Sequence, residues 1–209
     1  MRLFASLPLP REVAAHLQLV AGPLADVGGF AASRGRPAVR WVPAEQRHIT
    51  LAFYGEVPDG AAGDLLAALD RELTAHPPLR LRVRGAGVFS GRTLWAGVQE
   101  ENGRRHSSPD SALIRLMTAC EETGGRIAAG TAEGRERRKA HITLARARDR
   151  RAAEPVLRSH ASALSVYEGP AWTADRVLVM RSDLGAGKGG TALHTELASI
   201  PLGHAGDPR

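Results

Sequence analysis

His48–Ile49–Thr50–Leu51–Ala52 and His141–Ile142–Thr143–Leu144–Ala145 are the same pentapeptide, HITLA, set 141 − 48 = 93 positions apart. Polar and apolar residues alternate in both copies. Ile and Thr are β-branched, so each copy reads as a strand. Side chains two apart on a strand share a face. His48 and Thr50 therefore share one face, with Ile49, Leu51 and Phe53 on the other. His141 and Thr143 share a face in the same way, with Ile142 and Leu144 behind. Each copy presents one imidazole and one hydroxyl, anchored by a buried apolar side.

The flanking sequence supplies a frame for the two strands. Residues 2–7 read as a first strand, stopped by Pro8 and Pro10. Val13, Leu17, Val20 and Leu24 recur at helical spacing over 12–27, with Pro23 expected to kink or shorten the helix. GGFAASRGRP, 28–37, is a loop by composition. Residues 39–42 read as a short strand and 58–63 as a turn. Leu65, Leu66, Leu69 and Leu73 define a helix over 64–75.

Over 79–88, Leu79, Leu81 and Val83 alternate with Arg80, Arg82 and Arg84, a half-buried strand with a basic outer face. That row can meet RNA or water, and the one-sided burial of antiparallel sheets favours water. Residues 93–98 pair back through Ser90–Gly91. A helix over 109–123 turns Leu113, Leu116, Met117 and Cys120 inward and is expected to stop at Gly124 and Gly125. The segment 130–139 is dense in charge, either a funnel for phosphate or a solvated loop. A helix over 150–163 carries Pro155 early. Strands over 172–180 and 192–200 close the chain, and 203–209 is expected to fray.

Short strands with hairpin links and few βαβ signals predict an α+β fold with antiparallel sheets. The duplicated motif predicts two lobes related by a pseudo-twofold, lining a central cleft. With 209 residues the chain is long enough for one domain, 1–209, made of two interleaved lobes.

Lys and Arg total 28 against 22 Asp and Glu, a formal charge of +6 that favours anionic partners without demanding them. The basic residues are mostly arginine, whose fork matches phosphate oxygens. Cys120 is the only cysteine, which excludes an internal disulfide and a cysteine-based zinc cage, and its apolar surroundings read as a buried hydrophobe. MRLFASLPLP lacks the form of a signal peptide and no apolar run reaches the ~20 residues of a membrane span. A cytoplasmic monomer with no membrane contact is expected.

Two imidazoles facing one another form an acid–base pair, because an unperturbed pKa of ~6.5 makes both protonation states available near neutrality. Thr50 and Thr143 can donate hydrogen bonds to non-bridging phosphate oxygens. One HITL is a weak signal. Two copies of one pentapeptide in 209 residues are a specific one.

These residues resemble the two-histidine (2H) phosphoesterase superfamily, defined by two His-x-Thr/Ser-apolar motifs, and within it the bacterial RNA 2′,3′-cyclic phosphodiesterases, historically called 2′-5′ RNA ligases. The likeness runs through MRLFASLPLP at the start, RWVPAEQRHITLAFYGEV at 40–57, GAGVFS at 85–90, HITLAR at 141–146 and VLVMRSDL at 177–184. It implies a bilobal α+β fold. It implies a hydrolase that opens 2′,3′-cyclic phosphates on RNA ends or nucleosides to 2′-phosphates, with no cofactor and no metal. By the same likeness His48 protonates the leaving 3′ oxygen and His141 activates water, and reversal would join ends through a 2′-5′ linkage. Phe53 and Arg146 stand five residues after each histidine, where the likeness places an aromatic near the base and an arginine near phosphate. Strict alternation puts both behind the His–Thr face, so the strand must bend or end there for these roles to carry over. Two departures touch substrate preference: Ala140 replaces a frequent proline, and His194 replaces a frequent tyrosine in the last strand. An RNA-end binding module without turnover is the rival reading. A phosphodiesterase for 2′-5′-linked or other small cyclic nucleotides would use the same residues.

GAGKGG, 185–190, is not a phosphate-binding P-loop, because Ser182 stands where its first glycine belongs and Gly189 follows Lys188. Trp41, Trp95 and Trp172 are expected in the core.

Overall fold

The two HITLA copies lie side by side. In the computed structural model, strand β5 (His48–Glu56) pairs antiparallel with β8 (His141–Ala147) at Ile49 and Ile142. The structure describes residues 1–27, 32–33, 36–101, 111–127, 139–187 and 190–203.

Around that pair run β1 (Arg2–Pro8), β4 (Val39–Trp41), β6 (Leu79–Phe89), β7 (Thr93–Glu100), β9 (Glu168–Ala174), β10 (Arg176–Asp183) and β11 (Leu193–Pro201). All join one antiparallel sheet in the order β11-β10-β1-β5-β8-β7-β6-β9, with β4 added against β8. The two expected sheets are thus the two halves of this order, joined at Ile49–Ile142. A separate ribbon pairs β2 (Ala32–Ser33) with β3 (Arg36–Pro37).

Two of the helices cross between the halves. Helix α1 (Arg11–Val27) follows β1 but packs on β9, and α3 (Ala112–Ile127) follows β7 but packs on β5 and on α2 (Asp59–Leu73). Helix α4 (Arg150–Ala163) covers β6, β7 and β8. Ile49, Leu51, Ile142 and Leu144 are fully buried in a core shared with Leu65, Leu69, Leu116 and Cys120.

Four sequence expectations change. Helix α2 begins at Asp59 rather than Asp64, with Pro58 at the N-cap position and the Asp59 carboxylate in the first turn, where negative charge is favourable. Helix α3 runs through Gly124 and Gly125. A Cβ on Gly124 would stand 2.3 Å from the Tyr54 ring, so that glycine serves close packing rather than termination. The expected strand 172–180 is two strands broken at Asp175: β9 pairs with β6 and β10 with β1, in opposite halves. Helix α1 runs past Pro23 to Val27.

The arginine row of β6 is matched by acids. Arg80 and Arg82 pair with Glu101, and Arg82 and Arg84 with Glu168, on an exposed face. That favours the solvated reading. The charged residues 130–138 lie outside the described residues, as do those of 203–209 beyond Gly203.

Candidate active site

The Ile49–Ile142 pair fixes the site. In an antiparallel ladder, opposed residue numbers keep a constant sum, here 49 + 142 = 191. Carried one residue each way, that register sets His48 opposite Thr143 and Thr50 opposite His141. Directly opposed side chains have Cβ atoms about 4.5–5.5 Å apart. Both Ile side chains point into the core, so both imidazoles and both hydroxyls rise from the other face.

The two strands also break alternation at the same place. Opposite β1, Thr50 pairs with Ser6 and Ala52 with Ala5, which leaves one extra residue on β5. Opposite β7, Thr143 pairs with Trp95 and Ala145 with Leu94, which leaves one extra residue on β8. A bulge of this kind exchanges the faces beyond it. The burial pattern shows the result in both copies: Leu51–Ala52 and Leu144–Ala145 are consecutive buried residues. Phe53 and Arg146 are thereby returned to the His–Thr face, which the sequence alone placed behind it.

Both histidines are oriented alike. His48 Nδ1 donates to the Gln46 carbonyl at 2.8 Å, and His141 Nδ1 to the Lys139 carbonyl at 2.7 Å, each two residues back along the chain. A neutral ring that donates from Nδ1 keeps Nε2 as an acceptor. His48 packs against Phe4, ring centroids 5.0 Å apart, and His194 stands edge-on to it at 5.5 Å. His141 packs edge-on to Phe89 at 4.9 Å and to Trp95 at 6.5 Å.

The pKa of His48 is pushed down from 6.5 to about 4. Burial is the main cause; the Gln46 carbonyl works against it, and charge on His194, Arg146 and His141 adds to it. Across about 4 to 6.5 the unfolded chain binds a proton at residue 48 that the folded protein does not. Stability therefore rises with pH in that window and is lost as pH falls through it. The span is worth at most about 3 kcal/mol. His48→Gln should flatten the pH dependence of the urea midpoint there. Equal slopes in variant and parent would show that His48 titrates normally.

A cavity of about 400 Å³ is lined by His48, Thr50, Thr143, Arg146, Arg40 and His194, among others. A second, of about 820 Å³, adjoins it across His48, Gln46 and His194. His141 and Phe53 line neither; Phe53 lies under the Arg2 guanidinium, 4.7 Å from its ring centre. Two neighbours of the site, Phe4 and Trp95, escape a reading of the motifs, and a third, His194, enters the sequence reading only as a departure in the last strand. Phe4 comes from β1. Trp95 is buried beside His141 and lies under Lys139, whose Nζ is 3.9 Å from its ring centre. His194 reaches His48 from the far edge of the half-sheet, with Nδ1 buried and unpartnered. Phe4 and Trp95 stand on the strands that pair with β5 and β8, whereas His194 comes from three strands beyond β5. Among the described residues, no three His, Cys, Asp or Glu side chains are grouped to hold a metal ion.

Two His–Thr pairs raised from one face of paired antiparallel strands, with an arginine on the same face, are the arrangement of the two-histidine class of phosphoesterases. Residues 7–98 match the model of the LigT like Phosphoesterase family. A Thermus thermophilus RNA 2′,3′-cyclic phosphodiesterase is 31% identical over 189 residues, 88% of this chain and 83% of that protein. One from Geobacillus stearothermophilus is 30% identical over 184 residues, 85% of this chain, which spans about half (52%) of that longer protein. The crystal structure of TT0787 of Thermus thermophilus superposes with a TM-score of 0.69 at 28% identity, covering 98% of this chain and all of that one (100%). Apo LigT of E. coli shares the fold, with a TM-score of 0.66 at 22% identity over 97% of each chain. The chain belongs to the LigT-like phosphoesterases, the family of the RNA 2′,3′-cyclic phosphodiesterases.

Proposed function

We propose that the protein hydrolyses RNA 2′,3′-cyclic phosphate ends to 2′-phosphates by paired-histidine acid–base catalysis, with no metal in the chemical step. The observation that carries this reading is the Ile49–Ile142 register, which sets two His–Thr pairs across one face. A cyclic phosphate between them meets one group that can take a proton and one that can give it.

His141 takes a proton from water as the water oxygen bonds to phosphorus. The P–O3′ bond breaks, and His48 gives its proton to the departing O3′. The products are a 3′-hydroxyl and a 2′-phosphate. Thr50, Thr143 and Arg146 hold the non-bridging oxygens, where charge grows in the transition state. Phe53 acts as a wall beyond the Thr50 bulge. His48 is neutral in the empty cleft at pH 7, its pKa being about 4. The negative charge of the phosphate raises that pKa, so the acid takes up its proton with the substrate. If an RNA hydroxyl replaces water as the nucleophile, the same opening leaves a 2′-5′ linkage, the ligation reaction.

On this reading the protein acts as a monomer on cytoplasmic RNA ends. Among the described residues no helix is long and apolar enough to cross a membrane. The test is incubation with an RNA bearing a 2′,3′-cyclic phosphate, in the presence of a chelator. A 2′-phosphate product is expected at an undiminished rate. A 3′-phosphate product would reverse the assigned polarity, and loss of activity in chelator would remove the metal-free step. Tight binding with no product would favour an RNA-end binding module.

A further inference from the structure

Arg40 and Arg146 are direct cross-strand partners in the β4–β8 ladder. Their side chains therefore start from one face with Cβ atoms about 4.5–5.5 Å apart, an arrangement that is destabilising for like charges. Both line the cavity of about 400 Å³ with His48, Thr50 and Thr143. Among the described residues neither makes a salt bridge, whereas the arginine row of β6 is matched by Glu101 and Glu168. Burial lowers the pKa of Arg146, and the charge of Arg40 lowers it further.

One cyclic phosphodiester carries a single negative charge. Arg146 and the two threonines suffice to hold it. The second guanidinium has no counter-charge among the described residues and none left on that phosphate. The next anion available on an RNA end is the phosphodiester on the 5′ side of the terminal nucleotide.

We propose that Arg40 binds this second phosphate, so that the protein selects oligonucleotide ends over free nucleoside 2′,3′-cyclic phosphates. The inference rests on the hydrolase reading of the same site. It assigns Arg40 to substrate selection, with the neighbouring-phosphate geometry supplied by the Arg40–Arg146 register.

The test compares kcat/KM for a dinucleotide ending in a 2′,3′-cyclic phosphate with that for the matching nucleoside 2′,3′-cyclic phosphate. The native protein is expected to prefer the dinucleotide by about tenfold or more, the scale of one charge-assisted phosphate contact. Arg40→Gln should reduce that ratio about tenfold, and Arg40→Lys should restore part of it. In the native protein the ratio should also fall with salt, with a log–log slope of about −0.7 for one extra phosphate contact on a single strand. This arm holds even if a variant fails to fold. A native ratio near one, a salt-independent ratio, or an unchanged ratio in a folded Arg40→Gln variant would overturn the inference alone. No product from either substrate would overturn the hydrolase reading and this inference with it.

Discussion

His48→Ala and His141→Ala are each expected to lower turnover of a 2′,3′-cyclic-phosphate RNA by about 10²–10⁴-fold, the usual worth of one positioned proton transfer. Each imidazole stands on the cleft face, half-buried, while Ile49 and Ile142 behind them carry the core contacts. The folded state should therefore survive both changes. For His48→Ala it should gain stability below pH 6.5, because the variant has no depressed imidazole to protonate. The double variant should lose little more than either single one, since an acid and a base that act in one step are not additive. Single-turnover rates with a thermal melt for each variant are the measurement. A near-normal rate in either single variant, with the melt unchanged, would take that histidine out of the chemistry.

Ile142→Ala is expected to destabilise the fold by about 2–5 kcal/mol, the range for removing a fully buried aliphatic side chain. Ile142 is 0% exposed and stands opposite Ile49, also 0% exposed, at the junction of the two half-sheets. The loss should reach the site as well as the core. With the contact behind the strands slackened, His48 and Thr143 lose their fixed separation, and kcat should fall more than KM rises. Denaturant unfolding combined with steady-state kinetics checks both parts. A destabilised variant with full kcat would show that the register is held by other contacts. A variant as stable as the parent would show that the Ile pair is not the joint.

Much of this site is local information. An imidazole and a hydroxyl two residues apart on a β-branched strand must share a face, so HITLA reads as a His–Thr platform without further help. Its recurrence at residue 141 says that the platform is used twice. The apolar spacing of 113–120 and the alternation of 79–83 located a helix and a strand for the same reason. Gly124 and Gly125 misled because glycine both ends helices and permits close packing, and only the Tyr54 ring against Gly124 distinguishes the two. The 172–180 segment misled because its composition stays strand-like through Asp175 while its partners change.

Sequence by itself determined the chemical groups, the strand character of their carriers and the α+β class. Tertiary structure decided the pairing of β5 with β8, the twin bulges that turn Phe53 and Arg146 back to the His–Thr face, and the arrival of Arg40 and His194. The physical reason is range. A strand's period is set within a few residues, whereas register, bulges and sheet curvature depend on partners far away in the chain, and those partners set which face each side chain presents.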